Sequence, residues 1–194
     1  HHCIALRAYY TGIKGLSDKI ELHFLKSIIP GYFWIFPLED GVANVGVGMV
    51  TKEMKKGKVD LKKAMLDAIE NDPVFKDRFA GAKMTSEIKG WALPFGSRRK
   101  KNSGNGFMLI GDAASLIDPF TGEGVGNAMT SGKLAAKYAK KAIEAVDLSE
   151  KFFAQYEKEL WATIGDELKT SYYLQKLGRI TPLLNLVVGK ASKS

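Results

Sequence analysis

The first half of the chain alternates apolar and polar or small residues at a period of two, and Gly-, Asp- or Pro-containing breaks divide it into four runs. These are residues 4–13, 20–25, 32–38 and 42–50, and the spacing predicts an antiparallel sheet. Tyr32, Trp34 and Phe36 occupy alternate positions of the third run, so their rings share one face of the strand. Phe33 and Ile35 are also apolar, which predicts a strand covered on both sides. The run over 42–50 reads as its partner after a turn at Glu39-Asp40-Gly41, and its glycines remove side chains where the aromatic strand needs room.

The period then changes. Leu61, Ala64, Met65, Ala68 and Ile69 fall at helical spacing over 60–71, with Asp60 as the N-cap, and a short helix over 73–79 follows. Residues 84–94 return as a strand, 98–106 form a basic loop, and the apolar run 107–110 predicts a short buried strand. An alanine-rich, proline-free helix is expected over 125–145, then helices over 149–163, 166–176 and 181–188. Phe152, Phe153, Tyr156, Leu160, Trp161 and Ile164 give this tail an apolar stripe, for docking onto the fold, for lining a substrate tunnel or for meeting a membrane surface. The expected class is α/β, with α+β character in this stretch. Three regions are expected: a sheet domain over 1–97, a second domain over 98–146, and a helical region over 147–194.

Between the run 107–110 and the helix at 125 lies the densest chemical signal, Gly111-Asp112-Ala113-Ala114, followed by Asp118-Pro119-Phe120-Thr121-Gly122-Glu123-Gly124-Val125. A carboxylate after a glycine at the end of a strand can accept hydrogen bonds from a ribose or polyol. Gly122, Gly124 and Gly126 let the main chain approach a flat ligand, and the helix start that follows favours negative charge.

This segment resembles the second flavin-contacting motif of FAD-dependent oxidoreductases of the para-hydroxybenzoate hydroxylase type. The resemblance implies FAD as cofactor, with Gly111 and Asp112 at the ribityl chain, Pro119 beside the isoalloxazine, and Gly122, Glu123, Gly124 and Val125 at the ring edge. It also implies that 98–146 is the carboxyl-terminal part of a Rossmann-like FAD-binding domain and that the sheet over 1–97 is the substrate domain. A second signature, Tyr32-Phe33-Trp34-Ile35-Phe36-Pro37 followed after eight residues by Gly46-Val47-Gly48, is similar to the substrate-domain signature of the geranylgeranyl reductase family. It implies that Tyr32, Trp34, Phe36, Pro37, Gly46 and Gly48 line the place of an apolar isoprenoid or lipid substrate. A third segment, Leu93-Pro94-Phe95-Gly96, resembles a family strand that passes near the flavin; an edge strand stopped by proline is the alternative reading.

Composition narrows the picture. The 194 residues, 45% of them hydrophobic, suffice for one substantial core or two small ones. A G-x-G-x-x-G fingerprint near the amino terminus, with which members of the family begin, is absent, so the chain is expected to be the carboxyl-terminal part of a longer protein. His1-His2 reads equally as native sequence or tag. The single cysteine, Cys3, excludes an internal disulfide, and no metal site is expected. The net charge of +8 comes from 29 Lys and Arg against 21 Asp and Glu, spread over helix faces and one loop without a nucleic-acid module. Nucleic-acid binding is therefore not expected, and a basic surface suits contact with anionic lipid. No run reaches the roughly 20 apolar residues of a membrane span, and a cytoplasmic protein, peripheral to the membrane at most, is expected.

The resemblance implies reduction of carbon–carbon double bonds of a geranylgeranyl-type chain by hydride from reduced flavin. The electron donor, reduced nicotinamide or ferredoxin, is not readable from the residues. No catalytic residue stands out, because Glu123, the one candidate acid, sits at a helix start that favours its charged form. A flavin monooxygenase or halogenase of the same superfamily, and a lipid-binding piece without catalysis, remain open alternatives.

Overall fold

The computed structural model describes residues 2–177. His1 and the helix expected over 181–188 lie outside the described residues. The chain divides into two compact units, His1–Ala92 and Leu93–Ser194, where a change of domain was expected near residue 97.

The first unit is built on a six-stranded sheet. Its strands are β1 (His2–Thr11), β2 (Glu21–His23), β3 (Gly31–Pro37), β4 (Val42–Val50), β5 (Lys83–Met84) and β6 (Lys89–Pro94), in the order β2-β3-β4-β1-β5 with β6 also on β1. The antiparallel pairing of β1 with β4 runs from Cys3↔Val50 to Thr11↔Val42, and that of β3 with β4 from Gly31↔Met49 to Pro37↔Ala43. The expected hairpin turn is present as one turn of 3-10 helix, Glu39–Gly41, in which Asp40 and Gly41 both take positive φ.

Alternation decides which face is covered. Phe33, Ile35, Ala43, Val45, Val47, Met49, Ala8 and Tyr10 project to one face and form the core with Leu61, Met65 and Phe75. The latter belong to α2 (Leu61–Asn71), whose start is capped by Asp60 accepting from Lys63 N–H at 3.0 Å, and to the segment leading into α3 (Lys76–Phe79). The expectation that β3 is covered on both sides needs correction. Phe33 and Ile35 are buried, but Tyr32, Trp34 and Phe36 are half-exposed, because the helices of this unit pack on the other face. Two further differences are local. A helix not foreseen from the sequence, α1 (Thr51–Gly57), follows β4 directly and ends at Lys58 in the left-handed region. The strand expected over 84–94 is two strands, interrupted where Tyr9 N–H donates to Ser86 Oγ and Thr85 N–H to Tyr9 O.

The second unit carries a two-stranded ladder, β7 (Ser103–Gly104) with β8 (Phe107–Met108), a 3-10 turn at Gly111–Ala114, and the long helices α4 (Val125–Glu144) and α5 (Glu150–Leu177). Tyr138 from α4 and Tyr156, Leu160, Trp161, Ile164 and Leu168 from α5 close a core over Ala114 and Leu116. The run 107–110 was expected to be a buried strand. It pairs with β7 alone among the described residues, and Phe107 and Ile110 stay 51% and 44% exposed. The helices expected over 149–163 and 166–176 are one. Gly165, which lies between the two expected ranges, is a buried packing position: a Cβ there would sit 3.2 Å from an Arg99 guanidinium nitrogen, and Arg99 lies over the Trp161 ring.

Candidate functional site

In the second unit, the loop between the 3-10 turn and α4 is organised by Asp118. Its buried carboxylate accepts from Phe120 N–H (2.9 Å), Thr121 N–H (2.8 Å) and Thr121 Oγ1 (3.0 Å), while its own N–H donates to Glu123 O and its carbonyl accepts from Gly122 N–H. Five hydrogen bonds at one residue fix the path of Pro119 to Gly122, which takes φ of +77°. Gly111 also lies in the left-handed region, at φ +53°, and a Cβ on it would come within 3.0 Å of Ala128 Cβ. Both facts require glycine. Ser131 locks the approach of α4, accepting from Gly111 N–H at 3.0 Å while its hydroxyl faces Asn127 O at 2.7 Å, and Asn127 Nδ2 donates to Leu116 O.

Asp112 stands at the open side of this frame. Its carboxylate is exposed and takes part in no hydrogen bond within the described residues, and a Cβ on Gly124 would sit 3.2 Å from its Oδ1. An acceptor-only group with free lone pairs, beside glycine-lined main chain, suits the hydroxyls of a polyol and the flat edge of a ring. The residues present therefore fit a flavin. Of the first-turn N–H groups of α4 that were expected to point at a ligand, that of Gly126 is taken within the loop, donating to Glu123 Oε1 at 2.7 Å. Val125 is exposed at that helix start. The segment Leu93-Pro94-Phe95-Gly96 is brought to the same loop: Phe95 bridges Ile117 in parallel, and Gly96 N–H donates to Ile117 O at 2.7 Å, one residue before Asp118.

In the first unit, the uncovered face of the sheet is an aromatic ladder. Tyr32 and Trp34 meet edge to face at 6.0 Å, and Trp34 and Phe36 stack at 5.8 Å with planes 26° apart. The register places Trp34 opposite Gly46 and Tyr32 opposite Gly48. The indole lies over Gly46 so closely that a Cβ there would fall 2.3 Å from Trp34 Cζ2. Asn44, opposite Phe36, accepts from Trp34 Nε1 at 3.0 Å and fixes the ring. Pro37 ends the strand opposite Ala43. Cys3, on the same face, is buried, and burial pushes its thiol up to about 12, so it is a packing group at neutral pH and not a nucleophile.

A family model described as the geranylgeranyl reductase catalytic domain matches residues 2–85, the segment that contains the aromatic strand and its glycine partner. The digeranylgeranylglycerophospholipid reductase of Methanosarcina mazei is 41% identical over 157 residues, 80% of this chain and 37% of that protein. The chain is similar to the geranylgeranyl reductase-like family of FAD-dependent oxidoreductases. A solved geranylgeranyl bacteriochlorophyll reductase-like protein from Thermoplasma acidophilum superposes with a TM-score of 0.78 at 28% identity, covering 92% of this chain and 43% of its own. The flavin-dependent brominase Bmp2, at 22% identity and TM-score 0.67 over 95% of this chain and 47% of its own, shares the fold. The chain thus spans less than half the length of these relatives.

The mixed α/β class with an antiparallel sheet and carboxyl-terminal helices stands as expected. Several residues that build the site escaped the sequence reading. Asn44, Ser131 and Asn127 act through hydrogen bonds set by register and helix packing, and no local pattern marks them. Asp118 was readable, since Asp followed by Thr three positions on before a Gly-rich turn is the pattern of a side chain that bonds its own loop. Among the described residues no group of three or more His, Cys, Asp or Glu is placed to hold a metal, and no helix is long and apolar enough to cross a membrane.

Proposed function

We propose that the protein is an FAD-dependent reductase of isoprenoid carbon–carbon double bonds. The observation that carries this reading is the aromatic ladder over glycine on the open face of the sheet. Trp34 fills the space that a side chain at position 46 would take, and this leaves a broad, flat, apolar surface suited to a chain of methyl-branched alkenes. A polyprenyl chain offers only apolar area for recognition, at about 25 cal/mol per Å² buried, and aromatic faces supply it.

Asp112 and the glycine-lined loop from Pro119 to Val125 hold the flavin, and Gly111 lets α4 close against them. Bound there, reduced FAD supplies the hydride. Asp118 keeps the loop in shape, and Glu123 holds the first turn of α4 with its charge near the cofactor's edge. Tyr32, Trp34, Phe36, Pro37, Gly46 and Gly48 position the substrate chain. The electron donor is a reduced nicotinamide or a ferredoxin, and the basic surface supports peripheral contact with an anionic membrane from the cytoplasmic side.

Titration of the purified protein with FAD, followed by visible absorbance, tests the cofactor half of this reading. Asp112→Ala removes a charged acceptor worth about 1.5–3 kcal/mol and is expected to weaken FAD binding roughly ten- to hundredfold. Unchanged affinity in Asp112→Ala refutes the assignment of this carboxylate.

A further inference from the structure

The stripe that docks α5 changes character at its end. Tyr156, Leu160, Ile164 and Leu168 are buried at helical spacing, and Gln175, two turns beyond Leu168, continues the same face. Gln175 is 7% exposed, whereas Tyr173, Leu174 and Leu177 around it face solvent. An apolar residue would fill this position at lower cost, because a buried amide needs partners for its polar atoms. Here one atom has a partner and the other has none: Nε2 donates to the Pro119 carbonyl, and Oε1 is buried without a hydrogen bond among the described residues. Turned round, the amide would set Oε1 against the Pro119 oxygen, so the carbonyl decides its orientation.

This bond completes a pair on one peptide group. The N–H of the Pro119–Phe120 peptide donates to Asp118 Oδ1 at 2.9 Å, and the C=O of the same peptide accepts from Gln175. One end is held from within the loop, the other from a helix residue 56 positions along the chain. A peptide plane turns as a unit about its flanking single bonds, and turning it over reverses a dipole of about 3.5 D. With both ends bonded, reversal breaks two hydrogen bonds at once. Leu168 supports the arrangement from the same helix: a Cβ on Gly96, whose N–H donates to Ile117 O, would fall 2.8 Å from Leu168 Cδ1. α5 thus bears on the loop at Pro119 and on its neighbour at Gly96.

We propose that Gln175 is a positioning residue that locks the Pro119–Phe120 peptide, so that the loop holds this dipole in one direction beside a flavin. This rests on the assignment of the loop as the flavin site. The unsatisfied Oε1 accompanies the lock, since no apolar side chain supplies a donor to the carbonyl.

Amide hydrogen exchange of the purified protein without FAD reads the lock, and titration with FAD reads its use. Gln175→Met nearly keeps the side chain's size and removes the donor. In this variant the Phe120 amide is expected to exchange about two- to tenfold faster than in wild type, the share of one neutral hydrogen bond. The Gly111 amide, which donates to Ser131 Oγ, keeps its rate. FAD affinity falls by the same factor, because the loop holds its binding form for a smaller share of the time. Gln175→Glu adds a readout that packing does not move. Protonated at about pH 5, its buried carboxyl donates to the carbonyl; ionised at about pH 8, it repels it. Protection of Phe120, relative to wild type at the same pH, is therefore kept at the lower pH and lost at the higher. Wild-type exchange at Phe120 in Gln175→Met, equal acceleration at Gly111, or a Gln175→Glu variant indifferent to pH overturns the lock. Faster exchange at Phe120 with unchanged FAD affinity overturns its role in positioning the flavin loop. If the wild type binds no FAD while the exchange contrast holds, the flavin site falls and the lock remains.

Discussion

Gly46 and Gly48 look alike in the sequence, two glycines of one strand separated by a valine, yet the structure gives them different duties. A Cβ on Gly46 would meet the Leu6 carbonyl oxygen at 2.3 Å as well as the Trp34 ring, so neither backbone nor indole can yield without moving the sheet. A Cβ on Gly48 would meet Cys3 Sγ at 3.4 Å and Trp34 Cζ3 at 3.6 Å, which is ordinary contact. Gly46→Ala is therefore expected to destabilise the protein by about 1–3 kcal/mol, as overpacking does, while Gly48→Ala is expected to fold with nearly wild-type stability; urea denaturation of both variants checks the contrast. A second residue-scale feature is Glu21 on the edge strand. Arg78 donates to both of its oxygens at 2.6 and 2.8 Å, and His23 lies 2.9 Å from one of them. These hydrogen bonds, that from Arg78 foremost, hold the Glu21 carboxyl below its ordinary value of 4.5. A carboxylate whose folded-state pKa is depressed adds stability that is present above the unfolded value and is lost as pH falls through the folded one. The stability difference between wild type and Glu21→Gln is thus expected to favour wild type at pH 7 and to shrink below about pH 4.5. Denaturation midpoints at neutral and acid pH measure it, and a difference independent of pH contradicts the ion pair's contribution.

At the scale of elements, what the sequence reveals follows the physics of each element. The strands β1, β3 and β4 were legible because alternation is a local signal, and α2 because its apolar stripe and Asp60 cap occur together. α1 was not, since its residues Thr51–Gly57 have no buried position and thus no periodicity to read. The division expected within α5 failed because glycine has two meanings, a break in an isolated helix and a close contact in a packed one, and only the neighbouring Arg99 and Trp161 decide between them. The covered face of β3 could not be told from the open one, since Tyr, Trp and Phe occur on both kinds of surface. The flavin-type loop is the element whose order depends most on one side chain. Asp118→Ala removes three hydrogen bonds to a buried carboxylate and leaves the Phe120 and Thr121 N–H groups without their acceptor. The expected cost is about 2–4 kcal/mol in stability, together with loss of FAD affinity, whereas Asp118→Asn, which keeps an acceptor in place, is expected to lie between. Thermal denaturation with and without FAD gives both quantities.

For the whole molecule, each unit carries one half of the proposed chemistry on residues close in space within that unit. In the second, Gly124 and the loop tied by Asp118 stand beside Asp112, whose carboxylate has no hydrogen bond among the described residues; in the first, three strands set an aromatic face over glycine. The motif residues of both halves were legible from sequence because their spacing is tied to the turn and the strand that hold them. Their supports, Asn44, Ser131 and Gln175, which donates from within α5 to the Pro119 carbonyl, were not, since each reaches its partner across the fold. The central claim is that the protein transfers reducing equivalents from flavin to a prenyl double bond. The most direct measurement is anaerobic mixing of the reduced, FAD-loaded protein, purified as the cell makes it, with a geranylgeranyl-bearing substrate, following flavin absorbance and product mass together. Return of the oxidised flavin spectrum, with two hydrogens gained by the substrate for each flavin reoxidised, is the predicted result. A flavin that stays reduced beside unaltered substrate, or a protein that retains no flavin, would contradict it.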